Sequence, residues 1–121
     1  MSIHTRSQKL AQAAFAWISR RGDGKPDKEY VSFAKKFPAL IHTCGLAQAV
    51  AFALAKRETD YLADLAAVLK ASGHPGIGDG ASLDESARTQ QLSGYLRLSR
   101  DAINAASWLK RYAEAAVGEE Q

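Results

Sequence analysis

Residues 38–56, PALIHTCGLAQAVAFALAK, decide the fold: no residue between Lys36 and Lys56 carries a permanent charge. Within this stretch Leu46, Ala49, Val50 and Ala53 recur at i, i+3, i+4 and i+7, the period of a helix face, and Phe52 and Leu54 widen that face almost all the way round. A helix apolar on most sides is expected to be enclosed by other helices. Ala47, Ala49, Ala51, Ala53 and Ala55 leave little side chain between backbones, so longer residues on the partners fill the gap. Lys56 and Arg57 end the run, where cations complement the negative end of a helix dipole.

Outward from this stretch, 121 residues predict a single domain over 1–121 that buries about two-thirds of the surface of its unfolded chain. The apolar content, 46%, owes much to alanine, which favours helix. Cys44 is the only cysteine, which rules out an internal disulfide and a zinc site built on several thiolates. With no signal-peptide core and no apolar run of membrane-spanning length, a cytoplasmic location is the expectation. The net charge of +3 hides an asymmetry: residues 1–57 carry ten Lys and Arg against three acids, net +7, and residues 58–121 carry six against ten, net −4. That division suits a polyanion-binding face opposite a protein-docking or solvated one, provided that the two halves map onto faces of the folded chain.

Along the chain, residues 2–21 predict a first helix with Leu10, Ala13, Ala14, Trp17 and Ile18 inward and Ser2 or Thr5 as cap. Arg20, Arg21 and Gly22 then supply the end signal. A second helix starts at Asp27 to Tyr30, buries Tyr30, Val31, Ala34 and Phe37, is kinked by Pro38, and resumes until Thr43 to Gly45 breaks it. The central helix follows, then a fourth over 61–71 capped by Thr59 or Asp60. Residues 73–80 hold four of the nine glycines and read as a flexible, solvent-exposed connector. Ser82 with Glu85 forms a capping box for one long last helix over 83–117, whose inner face carries Leu92, Tyr95, Leu96, Ser99, Ala102, Ile103, Ala106, Leu109 and Ala113. Gly94 marks a bend or a close contact in it, and residues 118–121 read as a frayed tail. No run alternates as a strand does, so the fold class is all-α, a bundle of about five helices with a Pro-kinked second helix and a long C-terminal one.

Candidate chemistry is sparse. His42 and Cys44 suggest a thiolate and its base, but two residues apart on a helix they point to different faces, and the apolar context favours a buried structural cysteine. Residues 73–80 lack the Gly-Lys-Ser/Thr ending and the preceding strand of a phosphate-binding loop. Asp60, Asp64, Asp84, Glu85 and Asp101 read as solvated helix faces, since no histidine joins them at ligand spacing. No catalytic residue, metal or cofactor is expected.

The basic pairs differ. Arg20-Arg21, Lys35-Lys36, Lys56-Arg57 and Lys110-Arg111 each sit near a predicted helix end, and Arg97 lies one turn from Arg100. Grouped on one side they present cations to phosphates, giving salt-sensitive, sequence-independent affinity. Dipole complementation alone also accounts for Arg20, Arg21, Lys56 and Arg57, so both readings stand on composition.

Taken together, FAKKFPALIHTCGLAQAVAFALAK, the short helix after it and the closing SWLKRYAEA resemble the small helical subunit of the type III-B CRISPR effector, the Cmr complex. Tyr30, Ala34, Pro38, Gly45, Leu46, Gln48, Lys56, Trp108, Leu109, Lys110, Arg111 and Tyr112 carry the resemblance, which runs from the first helix to Tyr112. It implies a non-catalytic subunit, present in more than one copy and stacked along the interior of an RNA-guided complex. There it partners other Cmr subunits, guide RNA and target RNA, and cleavage and nucleotide cyclisation belong to other subunits. On this reading Lys56, Arg57, Lys110 and Arg111, joined by Arg20 and Arg21, face RNA. Trp108 and Tyr112 are stacking residues or, at their i, i+4 spacing, core or subunit-interface residues. Two alternatives remain: a helix-turn-helix DNA regulator, and a structural interaction module whose cations only cap helices.

Overall fold

The computed structural model describes residues 5–118, which form six α-helices and a short 3-10 turn with no strand among them. The first helix, α1, spans Arg6–Arg20. Of the two caps the sequence offers, Ser2 lies outside the described residues and Thr5 is used: its Oγ1 accepts the Gln8 N–H at 3.0 Å, and the Gln8 side chain accepts the Thr5 N–H at 2.8 Å. A 3-10 turn over Arg21–Gly24 follows, with Gly22 and Asp23 in the left-handed region.

The second helix, α2, covers Lys28–Cys44, capped by Asp27, whose carboxylate accepts the Tyr30 N–H at 2.8 Å. It runs on past Pro38 as expected and stops at Gly45, which has φ 85° and ψ 161°, backbone that only glycine adopts without strain. A Cβ there would also lie 3.4 Å from the Tyr95 hydroxyl. Gly45→Ala is therefore expected to cost about 1–3 kcal/mol, read as a lowered midpoint in urea unfolding with an unchanged slope.

The central helix, α3 (Leu46–Ala55), is shorter and less enclosed than its sequence predicts. Leu46, Ala49, Val50 and Ala53 are fully buried, yet Phe52 and Leu54 are 37% and 36% exposed, because neighbouring helices cover only one side. Cys44 is likewise exposed, not buried: with His42 and Thr43 it ends α2 beyond the core that holds Ile41.

The next helix, α4, spans Thr59–Ala71, and neither Thr59 nor Asp60 caps it; both are already helical. The turn before it is set by the end of α3, where the Arg57 N–H donates to the Leu54 carbonyl and the Glu58 N–H to that of Ala53. This places Arg57 at φ 60°, where helix ends normally carry glycine. The connector after α4 is tied down: Ile77 is 3% exposed, and the His74 N–H donates to the Leu69 carbonyl at 3.0 Å.

The expected long last helix is two helices, α5 (Gly80–Thr89) and α6 (Leu92–Val117), separated by extended backbone at Gln90 and Gln91. The cap of α5 is Asp79 paired with Ser82, one turn earlier than predicted; hydrogen bonds from Ser82 hold the Asp79 carboxyl below its usual range. Leu92 and Leu96 are 73% and 58% exposed instead of core; before Leu98, the first fully buried residue of α6, only Tyr95 packs inward. Gly94 marks a close contact: the Gln90 side chain occupies the space a Cβ would need. Gly118 is the last described residue, and 119–121 of the predicted tail lie outside the description.

Pairings fix the directions. Arg6 meets Asp101 and Phe15 meets Tyr112, so α1 and α6 are parallel. Gly45 lies against Tyr95, while Val31 and Val117 line one groove, so α2 runs antiparallel to α6. Arg21 reaches Asp60 and Asp64, and Arg57 borders a hollow with Asp27 and Glu29. The ends of α1, α3 and α6 and the starts of α2 and α4 therefore share one end of the bundle.

Candidate nucleic-acid interface

Arg20, Arg21, Lys56 and Arg57 gather at that shared end, with Lys110 and Arg111 in the last turns of the 26-residue α6. They are not equivalent. Arg21 is engaged: its Nε and Nη2 donate to the two carboxylate oxygens of Asp64, both at 2.7 Å, and Nη2 also donates to the Asp60 carbonyl at 3.0 Å. Arg20 lies over the Trp17 ring, its Cζ 4.7 Å from the centroid. Arg57 is exposed, at the edge of a hollow of about 130 Å³ bordered by Asp27, Glu29, Glu58 and Asp60. Lys56, Lys110 and Arg111 form no ion pair among the described residues. Trp108 and Tyr112 stack on each other at 5.7 Å, and Phe15 packs edge-on against Tyr112 at 5.4 Å; Trp108 and Tyr112 are half-buried against the core.

A second cationic element escapes the sequence reading. Lys25, Lys28 and Lys35 line a groove of about 410 Å³ with Pro26, Val31, Ser32 and Val117. The i, i+7 spacing of Lys28 and Lys35 signals a shared helix face, but no local pattern brings Val117 to close the groove. Lys110, seven residues before Val117, shares the face of α6 that borders it.

The acids read as solvated are partly interior. Asp64 and Asp101 are each 1% exposed. Asp64 accepts from Arg21 and, at 2.6 Å, from the Tyr30 hydroxyl. Asp101 faces His74 Nε2 at 2.8 Å and Arg6 Nη1 at 3.3 Å. Each joins segments far apart in sequence, so neither pairing has a local signature. The hydrogen bond to Asp64 raises the Arg21 pKa further, while burial and the adjacent carboxylate push the Tyr30 hydroxyl well above its ordinary range. Burial does the same to Tyr61, whose hydroxyl has no partner among the described residues.

Both tyrosines must stay neutral in the fold and ionise freely once it is lost. Their contribution is fully present below about pH 10 and is lost as pH rises beyond it, by about 1.4 kcal/mol per pH unit for each tyrosine. Stability followed by urea unfolding is expected to fall steeply above about pH 10. Tyr61→Phe should halve that slope and, by removing an unpaired hydroxyl, raise stability at neutral pH.

A family model described as CRISPR-associated protein (Cas_Cmr5) matches residues 6–116. The curated CRISPR system Cmr subunit Cmr5 of Thermus thermophilus is 38% identical over 120 residues, covering 97% of this chain and 100% of that protein. A crystal structure of a CRISPR-associated Cmr5 family protein, also from Thermus thermophilus, aligns with a TM-score of 0.82 at 38% identity, covering 93% of this chain and 97% of that one.

Proposed function

The chain belongs to the Cmr5 family of CRISPR-associated proteins, small subunits of the type III-B Cmr system, and we propose that within that complex it is a non-catalytic element that contacts RNA phosphates. The observation that carries this reading is how charge is distributed. The buried acids are used up internally, Asp64 by Arg21 and Asp101 by His74 and Arg6, while the more exposed Asp60 and Asp84 pair with Arg21 and Arg88. Lys56, Lys110 and Arg111, with Lys28 and Lys35 beside the α2–α6 groove, are left without carboxylates among the described residues. Surplus cations facing solvent suit a polyanion better than they suit helix dipoles, whose ends need one or two.

In the complex the subunit stacks with copies of itself beside other Cmr subunits, in contact with guide and target RNA, in the cytoplasm. A DNA reader is disfavoured because Gln48 is the only polar side chain of α3. Purification of the tagged chain from its host tests the reading. A multisubunit ribonucleoprotein with short guide RNA is the expected result; a homodimer holding duplex DNA, or the chain alone, would refute it.

A further inference from the structure

Phe52 is the only aromatic residue of α3, and its exposed ring is flanked by charge. Lys36 Nζ lies 6.0 Å and Lys56 Nζ 5.6 Å from its centroid, from the middle of α2 and the end of α3. Neither lysine has a carboxylate partner among the described residues. Two ammonium groups beside one ring repel each other and are offset only by ring quadrupoles, that of Phe52 for both and that of Phe33, 5.5 Å from Lys36 Nζ, so the site favours an anion.

The ring is also supported from below. Phe33, 2% exposed, lies nearly parallel to it, at 9° with centroids 6.4 Å apart. Phe33 in turn packs against Phe37 and Tyr61, each at 5.4 Å. Beside the ring, Lys36, Ala39, Leu40, Thr43 and Phe52 enclose a shallow hollow of about 260 Å³. A fitting ligand brings a flat apolar face with anions a few ångströms to either side. An unpaired nucleotide has that form; an acidic peptide supplies the anion without the plane, and a duplex keeps its bases stacked away.

We propose that Phe52 is a stacking platform for one unpaired base of single-stranded RNA, with Lys36 and Lys56 on the flanking phosphates. This rests on the RNA-contact reading above, which shares Lys56, and adds a base contact to it. The lysines cover the ring when no anion is present and move onto phosphates when RNA binds, uncovering the face for the base.

The test uses the full chain, alone and in the reconstituted complex, with labelled oligouridine and an abasic oligomer of equal length. Phe52→Ala and Phe52→Leu, the latter keeping the packing on Phe33, should each weaken oligouridine binding about tenfold, and Phe52→Trp should retain it. None should change abasic binding. Lys36→Ala with Lys56→Ala should flatten the salt slope by about 1.4 for both oligomers. Irradiated iodouridine RNA should crosslink to Phe52. If the Phe52 variants bind oligouridine as the parent does while loss of Lys56, Arg57, Lys110 and Arg111 weakens it, RNA is held without this platform and the inference fails alone. Phe52 variants that bind RNA normally but drop out of the complex would make the patch a protein-docking surface and overturn the inference. If the parent binds no RNA in either setting, the RNA-contact reading fails and the inference with it.

Discussion

Asp64→Ala is expected to lower stability by about 3 kcal/mol, a fall in melting temperature of about 10 °C for a domain of this size. Asp64 is 1% exposed and is the shared acceptor for Arg21 and Tyr30, so its removal strands the Tyr30 hydroxyl and leaves the Arg21 guanidinium only its contacts with Asp60. Breaking a buried ion pair from one side costs about 3–5 kcal/mol. The lower figure applies because the Arg21 side chain is 25% exposed and recovers some hydration. Attraction across the pair is not what makes the loss large; the uncompensated charge is. Accordingly, Asp64→Leu combined with Arg21→Met and Tyr30→Phe should restore most of the stability, because no buried charge is then left unmatched and Asp60, which loses Arg21, is 78% exposed. Thermal unfolding of the single and triple variants separates this account from one in which the network contributes nothing.

The second large effect concerns RNA. Replacing Lys56, Arg57, Lys110 and Arg111 together by alanine removes four cations that touch no carboxylate by ion pair among the described residues. If each meets one phosphate of a single strand, the slope of log affinity against log salt falls by about 2.8. Over a fourfold rise in salt, the parent should then lose about fiftyfold more affinity than the variant does. The fold should tolerate the change: Lys56, Arg57 and Arg111 are exposed, and Lys110 is only half-buried. Arg21 is left out of the variant because it holds Asp64, and changing it would confuse binding with stability.

Local signals are legible in the sequence, and long-range ones are not. Thr5 and Asp27 act as caps because the donors they satisfy lie three residues on, and Gly45 breaks the helix through its own backbone. The division at Gln90 and Gln91 is hard to see because no glycine or proline marks it; its one local trace is the polar run Arg88-Thr89-Gln90-Gln91, which interrupts the apolar period after Ala87. Leu92 and Leu96 keep helical phase with Ser99 and Ile103, which is why the sequence puts them inside, but full burial in this helix starts only at Leu98. Asp64 and Asp101 read as surface acids because Arg21 and Arg6, their partners, are 43 and 95 residues away. For the site, the cations of α3 and α6 are readable as helix-end pairs, whereas the groove of Lys28, Lys35 and Val117 and the lysines flanking Phe52 depend on packing between helices. An apolar run such as that of α3 shows that burial is favoured without showing what covers each side, which is why the sequence predicts Phe52 inside.

The central claim is that this Cmr5-family chain offers its unpaired cations to RNA phosphates. Target-RNA affinity of the assembled complex, measured across a salt series with the parent chain and with the Lys56, Arg57, Lys110 and Arg111 alanine variant, tests it most directly. The account predicts a slope shallower by about 2.8 for the variant at equal subunit occupancy; an unchanged slope would contradict it.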